Sequence, residues 1–174
     1  MAGPDPLVAP VLGHHLTPTL AAPDAPLATA EAILGHRFAR PDLLREALTH
    51  RSAAQPGRKG AGSNERLEFV GDRVLGLLVA EWLAERFPHE QEGALGRRLA
   101  HLVSQPVLAA IAEHAGLPAV LDVAPGESRA GVRRRATVLA VATEATLGAL
   151  YLDGGLAAAR RFVRHAWETA MTDQ

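Results

Sequence analysis

Glu65, Glu68 and Asp72 recur at helical spacing in the stretch Ser63-Asn64-Glu65-Arg66-Leu67-Glu68-Phe69-Val70-Gly71-Asp72-Arg73-Val74-Leu75-Gly76. At about 100° per residue these acids fall within roughly 60° of one another, on one helix face. Leu67, Val70, Val74, Leu75, Leu77, Leu78 and Val79 crowd the same helix, so the acid face is expected to be dry. Buried carboxylates without partners cost too much to persist without a cation or a proton. A donor set made only of oxygens suits a hard divalent ion, Mg²⁺ first and Mn²⁺ as the substitute. A plainer reading stands beside it: an exposed stripe in which Glu65 and Glu68 pair with Arg66 or Arg73.

The elements that carry these acids are expected to be helical. Aromatic residues make up only 4% of the chain while Ala and Leu abound, which favours helix packing over a sheet sandwich. Ser63 or Asn64 can cap the acid-bearing helix, which should run to Arg86 before Phe87-Pro88 stops it. Two short helices are expected before it, at 28–36 and 42–48, with a polar, Gly-rich loop at 50–63 between. A helix at 93–114, with Leu95, Leu99, Leu102, Val103 and Ile111 inward, is open to a break at Pro106. A short turn at 117–123 leads to a loop at 125–128. A helix at 133–152 should then stop at Asp153-Gly154-Gly155, and a last helix should cover 156–171. No strand pattern or internal repeat is present, so the expected class is all-α.

With 174 residues, 48% of them hydrophobic, the chain suits one well-buried domain, placed at 28–174. Residues 1–27 contain no Lys or Arg and six of the twelve prolines, so they read as a disordered Pro/Ala-rich tail without the charged start of a secretory signal. The chain has no cysteine, which excludes disulfides, thiolate chemistry and Cys-type zinc sites and makes a cytoplasmic location the expectation. The apolar stretch 138–152 is interrupted by Glu144 and falls short of the ~20 residues of a membrane span, so no membrane association is expected.

Net charge is −1, a poor footprint for a nucleic-acid binder, but its distribution is uneven. Between positions 129 and 164 stand seven arginines (129, 133, 134, 135, 160, 161 and 164) against two acids, Glu144 and Asp153. Arg58 and Lys59 form a second small basic site. Arginine's planar fork suits phosphate oxygens, while a solvated helix end accounts for the same pattern. His89, His101 and His114 share no metal-binding spacing, and His14-His15 has no evident partner.

The string Asn64-Glu65-Arg66-Leu67-Glu68-Phe69-Val70-Gly71-Asp72 resembles the signature of the ribonuclease III family almost residue for residue. The resemblance extends to Ala47-Leu48-Thr49-His50-Arg51-Ser52 upstream and to Glu144-Ala145 with Gly148-Ala149-Leu150-Tyr151-Leu152-Asp153-Gly154-Gly155 downstream. Glu92-Gly93, Leu102-Val103-Ser104, Ile111-Ala112, Gly116-Leu117 and Gly126-Glu127 follow the family's order between them, so 28–170 is covered.

The resemblance implies a ribonuclease III-like helical domain that cleaves double-stranded RNA by Mg²⁺-dependent phosphodiester hydrolysis, an endonuclease of RNA processing that works as a homodimer. Carried across by position, it makes Glu68, Asp72 and Glu144 metal ligands, with Asp72 and Glu144 catalytic and Asp72 helping to orient or activate the water. A fourth family acid belongs three residues before Glu144, and there this chain has Val141. Valine cannot ligate, so cleavage is expected to be weakened or abolished.

Phe69 matches a residue that plugs into a partner subunit, and Glu65 reads as a structural or interface acid. Glu92 resembles an acid near that interface, although a solvated loop charge fits as well. Arg129, Arg133, Arg134, Arg135 and Arg160 become candidates for RNA phosphate contact, while His50 is expected to be a hydrogen-bonding residue. Bacterial relatives commonly add a double-stranded-RNA-binding domain after the nuclease domain. Its absence from 174 residues implies a compact member or a fragment, with fewer phosphate contacts either way. An alternative reading is a non-cleaving, RNA-binding or ribosome-associated scaffold with the same fold. A metal phosphohydrolase of another helical family would need His-Asp pairs at ligand spacing, which the chain lacks.

Overall fold

Helix α3 (Glu65–Arg86) and helix α7 (Ala136–Ala166) cross at the centre of the domain, and the remaining helices pack around that crossing. The structure, a computed structural model, describes residues 24–58 and 62–174. Lys59, the His14-His15 pair and residues 1–23 of the expected tail lie outside the described residues. Before α3 come α1 (Ala25–Leu34) and α2 (Pro41–Ala47). After it come α4 (Glu92–Leu102), α5 (Gln105–Ala115) and α6 (Pro125–Arg129), then α7 and α8 (Glu168–Thr172). Short 3₁₀ turns lie at Arg51–Ala53, Leu117–Ala119 and Val132–Arg134. Among the described residues the only extended pairing is an isolated bridge between Thr49 and Asp122, so the all-α class holds.

The crossing is set by sequence periodicity and by two glycines. Leu67, Gly71, Val74, Leu75 and Leu78 repeat every three or four residues and form the buried stripe of α3. On α7 the buried set around the crossing includes Thr143, Leu147, Gly148 and Leu150. A Cβ added to Gly71 would overlap the carbonyl oxygen of Glu144, and one added to Gly148 would overlap that of Leu67. Backbone therefore meets backbone, a closeness only glycine permits. By length and composition alone α7 could cross a bilayer; here α2, α3 and α5 surround it as the core helix.

Several boundaries differ from the sequence expectation. Helix α1 begins at Ala25, and Leu27 is buried in the core, so the end of the expected tail belongs to the domain. Pro26 sits in the first turn, where a missing N–H costs nothing. The 93–114 helix breaks at Val103-Ser104, because Pro106 opens α5 rather than interrupting a longer helix. The expected loop at 125–128 is the short helix α6. Gly155 (φ 72°, ψ −173°) is non-helical and divides α7 into two helices that meet at a kink, so the expected stop at Asp153-Gly154-Gly155 and the restart at 156 are both seen.

Asp153 anchors that kink. Its side chain is 2% exposed and accepts from Ala39 N–H (3.1 Å) and Arg40 N–H (2.8 Å), with His36 Nε2 at 2.8 Å. Burial alone would raise its pKa, but the bonds from His36, Arg40 and Ala39 outweigh burial and hold it below the ordinary carboxylate range.

Candidate functional site

Close approach at Gly71 and Gly148 places one face of α3 beside the middle of α7. There Glu65, Glu68 and Asp72 line a single cleft of about 400 Å³ with Glu144, Phe69 and Arg73. Glu65 and Asp72 are exposed while Glu68 and Glu144 are half-buried, so the acid face is not the dry face expected from its neighbours. The core stripe lies to one side of the acids, and the crossing leaves their edge open to water. Nor is this the plain paired stripe. Among the described residues neither Glu65 nor Glu68 forms an ion pair with Arg66 or Arg73, and Arg73 Nη1 instead donates to Asp72 Oδ2 at 2.9 Å.

Neither Ser63 nor Asn64 caps α3 through its side chain, contrary to expectation. Ser63 Oγ donates to Glu65 Oε2 (2.8 Å), and Asn64 is tied down by its backbone N–H to Thr49 O (3.0 Å).

Burial and the neighbouring charges of Asp72 and Glu68 push the Glu144 carboxyl up from 4.5 to about 7, with Arg73 opposing them weakly. Glu68 is raised as well, by burial and then by Glu65 and Asp72. Acids that hold one another's protons form a set that a cation relieves. The donor chemistry therefore fits a hard divalent ion. No three acidic or histidine side chains among the described residues stand close enough to form a ready-made cage.

The raised Glu144 pKa has a sign that can be tested. Between pH 4.5 and about 7 the native state holds a proton that the unfolded chain has released, so this contribution to stability is lost as pH rises through that window. Glu144→Gln should therefore match the unmodified protein near pH 5 and exceed it at pH 8 by about 1–3 kcal/mol in the presence of a chelator. Urea unfolding at the two pH values measures this, and an equal gap at both would contradict it.

A second cleft adjoins the first through Glu65 and Glu68 and is otherwise lined by His50, Arg51, Asn64, Thr137, Val138 and Val141. Val141 thus stands one turn before Glu144 with its side chain beside the acids. His50 Nδ1 accepts from Ser52 N–H (3.2 Å) and lies 2.8 Å from Ser52 Oγ, which accepts from Ala124 N–H (3.1 Å). Burial, then Arg51, lowers its pKa, in keeping with the hydrogen-bonding role expected of it.

The expected arginine rail separates into different roles. Arg133 donates to Ser128 Oγ (3.1 Å) and to the carbonyls of Pro118 and Leu121, so it clamps backbone. Arg160 makes a two-pronged bond to Glu81 (2.8 and 3.0 Å) across α3 and α7. Both guanidiniums are thus engaged within the domain, Arg133 by nearby segments and Arg160 by α3. Arg129, Arg134 and Arg135 are exposed near the start of α7, where Arg134 has a loose partner in Glu113 at 3.6 Å. Phe69 is 63% exposed and borders an apolar groove with Val70, Val74, Leu77, Tyr151 and Leu156.

Sequence reasoning missed Gly71, Gly148 and Arg73 as makers of this site. The signal for the glycines was present, since glycine inside a helix costs about 1 kcal/mol relative to alanine and needs a reason.

A family model described as ribonuclease-III-like matches residues 40–169. Ribonuclease 3 of Bradyrhizobium diazoefficiens is 44% identical over 144 residues, covering 83% of this chain and 58% of that protein. Ribonuclease 3 of Geobacter metallireducens is 50% identical over 135 residues, covering 76% and 55%. The chain thus spans somewhat more than half the length of these relatives. Among solved structures, the nuclease domain of ribonuclease III from Campylobacter jejuni, described for flexibility in the region involved in dimer formation, superposes with a TM-score of 0.76. It is 33% identical, and the match covers 82% of this chain and 96% of that domain.

Proposed function

This chain belongs to the ribonuclease-III-like family, and from that membership we propose that it is an endoribonuclease that hydrolyses double-stranded RNA, with Mg²⁺ as cofactor and Mn²⁺ as its substitute. The observation that carries the reading is the cleft at the α3–α7 crossing, where three acids of α3 and Glu144 of α7 line one opening and burial pushes Glu144 up to about 7.

Glu68, Asp72 and Glu144 are the side chains to hold the ion. When bound, it would neutralise phosphoryl oxygens and lower the pKa of a water. Burial and the neighbouring carboxylates favour the protonated form of Glu144 in the cation-free protein, which suits it to exchange a proton within the cleft. Asp72, exposed at the cleft, is placed to orient water. Arg129, Arg134 and Arg135, exposed near the start of α7, supply phosphate contacts. RNA duplexes are recognised through shape, backbone and 2′-OH, so little sequence preference is expected. A second copy of the chain, received at Phe69 and its groove, would set two clefts against one duplex; the exposure of Phe69, Leu77, Tyr151 and Leu152 supports this. A cytoplasmic site of action remains part of the proposal on the absence of cysteine.

Val141 makes the activity weak, because it puts a side chain without oxygen beside Glu65 and Glu68. The test is cutting of a long RNA duplex at low salt with Mg²⁺. Slow cutting that chelation stops and Glu144→Ala removes is the expected result. Duplex binding without any cutting would favour the scaffold reading.

A further inference from the structure

Arg73 is the one cation lining the acid cleft among the described residues, and no element of the proposed reaction uses it. Its Nη1 donates to Asp72 Oδ2 at 2.9 Å and to the backbone oxygen of Phe69 at 3.2 Å. The guanidinium carbon lies 4.0 Å from the centroid of the Phe69 ring, a cation–π stack on a side chain that is itself 63% exposed. Arg73 therefore has three holds at once, and it borders both the acid cleft and the apolar groove. Its charge also acts on Glu144, in the sense that favours the ionised carboxylate.

We propose that Arg73 is the resident cation of the acid cleft: stacked on Phe69, its guanidinium holds Oδ2 of Asp72 and competes with a divalent ion for that carboxylate. The proposal rests on reading the cleft as a divalent-ion site. It makes Arg73 a positioning residue that competes with the ion. A guanidinium can be displaced here because an exposed ion pair is weak, and its side chain is 61% exposed beside an Asp72 that is 52% exposed. Stacking on Phe69 gives the competition a second control point, since whatever covers the Phe69 ring removes one of the three holds.

The experiment uses Mn²⁺ alone as the probe, with free ion followed by electron paramagnetic resonance on the full chain at low ionic strength and pH 8. Arg73→Gln should bind Mn²⁺ about 3- to 10-fold more tightly than the unmodified protein. Arg66→Gln removes the same charge from an exposed position of α3 outside the cleft and should change affinity by less than about 2-fold. Arg73→Lys, which keeps the charge without the planar fork, should fall between. Equal effects of Arg73→Gln and Arg66→Gln, or weaker binding by Arg73→Gln, would overturn the role of Arg73 while leaving the ion site standing. Glu144→Gln serves to separate the two ideas: it should weaken Mn²⁺ binding in both the unmodified and Arg73→Gln backgrounds. If it weakens neither, the ion site itself fails and the proposal falls with it.

Discussion

Val141→Asp is expected to raise Mg²⁺-dependent cutting of duplex RNA by about 10- to 100-fold, the scale on which disturbed partners of metal ligands change activity. Position 141 lies one helical turn before Glu144, and its side chain lines the cleft that shares Glu65 and Glu68 with the acid site. An aspartate there would add a carboxylate to a group in which burial, and then mutual repulsion, already raises the pKa of Glu68 and Glu144. Without a divalent ion the variant should therefore lose stability, by about 1 kcal/mol, and regain it when Mg²⁺ is added. Two measurements check this: the initial rate of duplex cleavage and the urea midpoint with and without Mg²⁺. The gain in rate should vanish when Glu144→Ala is combined with it. A variant that folds, gains stability from Mg²⁺ and still cuts no faster would place the defect elsewhere than at position 141.

Gly71→Ala should destabilise the domain by about 3 kcal/mol or more and lower its melting temperature by roughly 6–12 °C. An added methyl group would meet the Glu144 carbonyl, with its carbon at 2.5 Å, so α3 and α7 must separate. Neighbouring backbone cannot swing aside as a flexible side chain can. The intrinsic helix preference for alanine returns only about 1 kcal/mol. Separation also draws Glu68 and Asp72 away from Glu144, so residual cutting should fall further than the stability loss alone accounts for. Gly76→Ala is the comparison within the same helix: nothing lies within 4 Å of its added Cβ, and it should be neutral or slightly stabilising. Thermal unfolding of the two variants side by side decides the matter, and equal melting temperatures would refute close helix approach as the constraint.

Much of the architecture follows from local rules. The apolar period of 67, 71, 74, 75 and 78, the stop at Phe87-Pro88 and the prolines at the starts of α2 and α5 act within a turn or two of chain, and the helices lie close to where these signals put them. What the local signals leave open, longer-range contacts set. Asp153-Gly154-Gly155 ends one helix and Gly155 starts the next at a kink, as the local signals require, but the angle between them is held by Asp153 bonding to His36, Ala39 and Arg40, more than a hundred positions earlier. Arg133 and Arg160 belong to a basic stretch by composition, and only the fold supplies the partners at 118, 121 and 81 that hold them.

The acid site divides in the same way. Sequence alone determined that Glu65, Glu68 and Asp72 share a helix face, that Glu144 follows Val141 by one turn, and that all of the oxygen donors are hard, because helix geometry and side-chain chemistry are local properties. Only the tertiary structure decided that the two helices touch, that the acid edge is open to water, that burial and the carboxylates of Asp72 and Glu68 push Glu144 up to about 7, and that Arg73 turns toward Asp72. Those outcomes depend on how closely two backbones approach at Gly71 and Gly148, and on the burial and charge that each helix imposes on the other. Distances and dielectric surroundings of that kind exist only once distant parts of the chain have packed together.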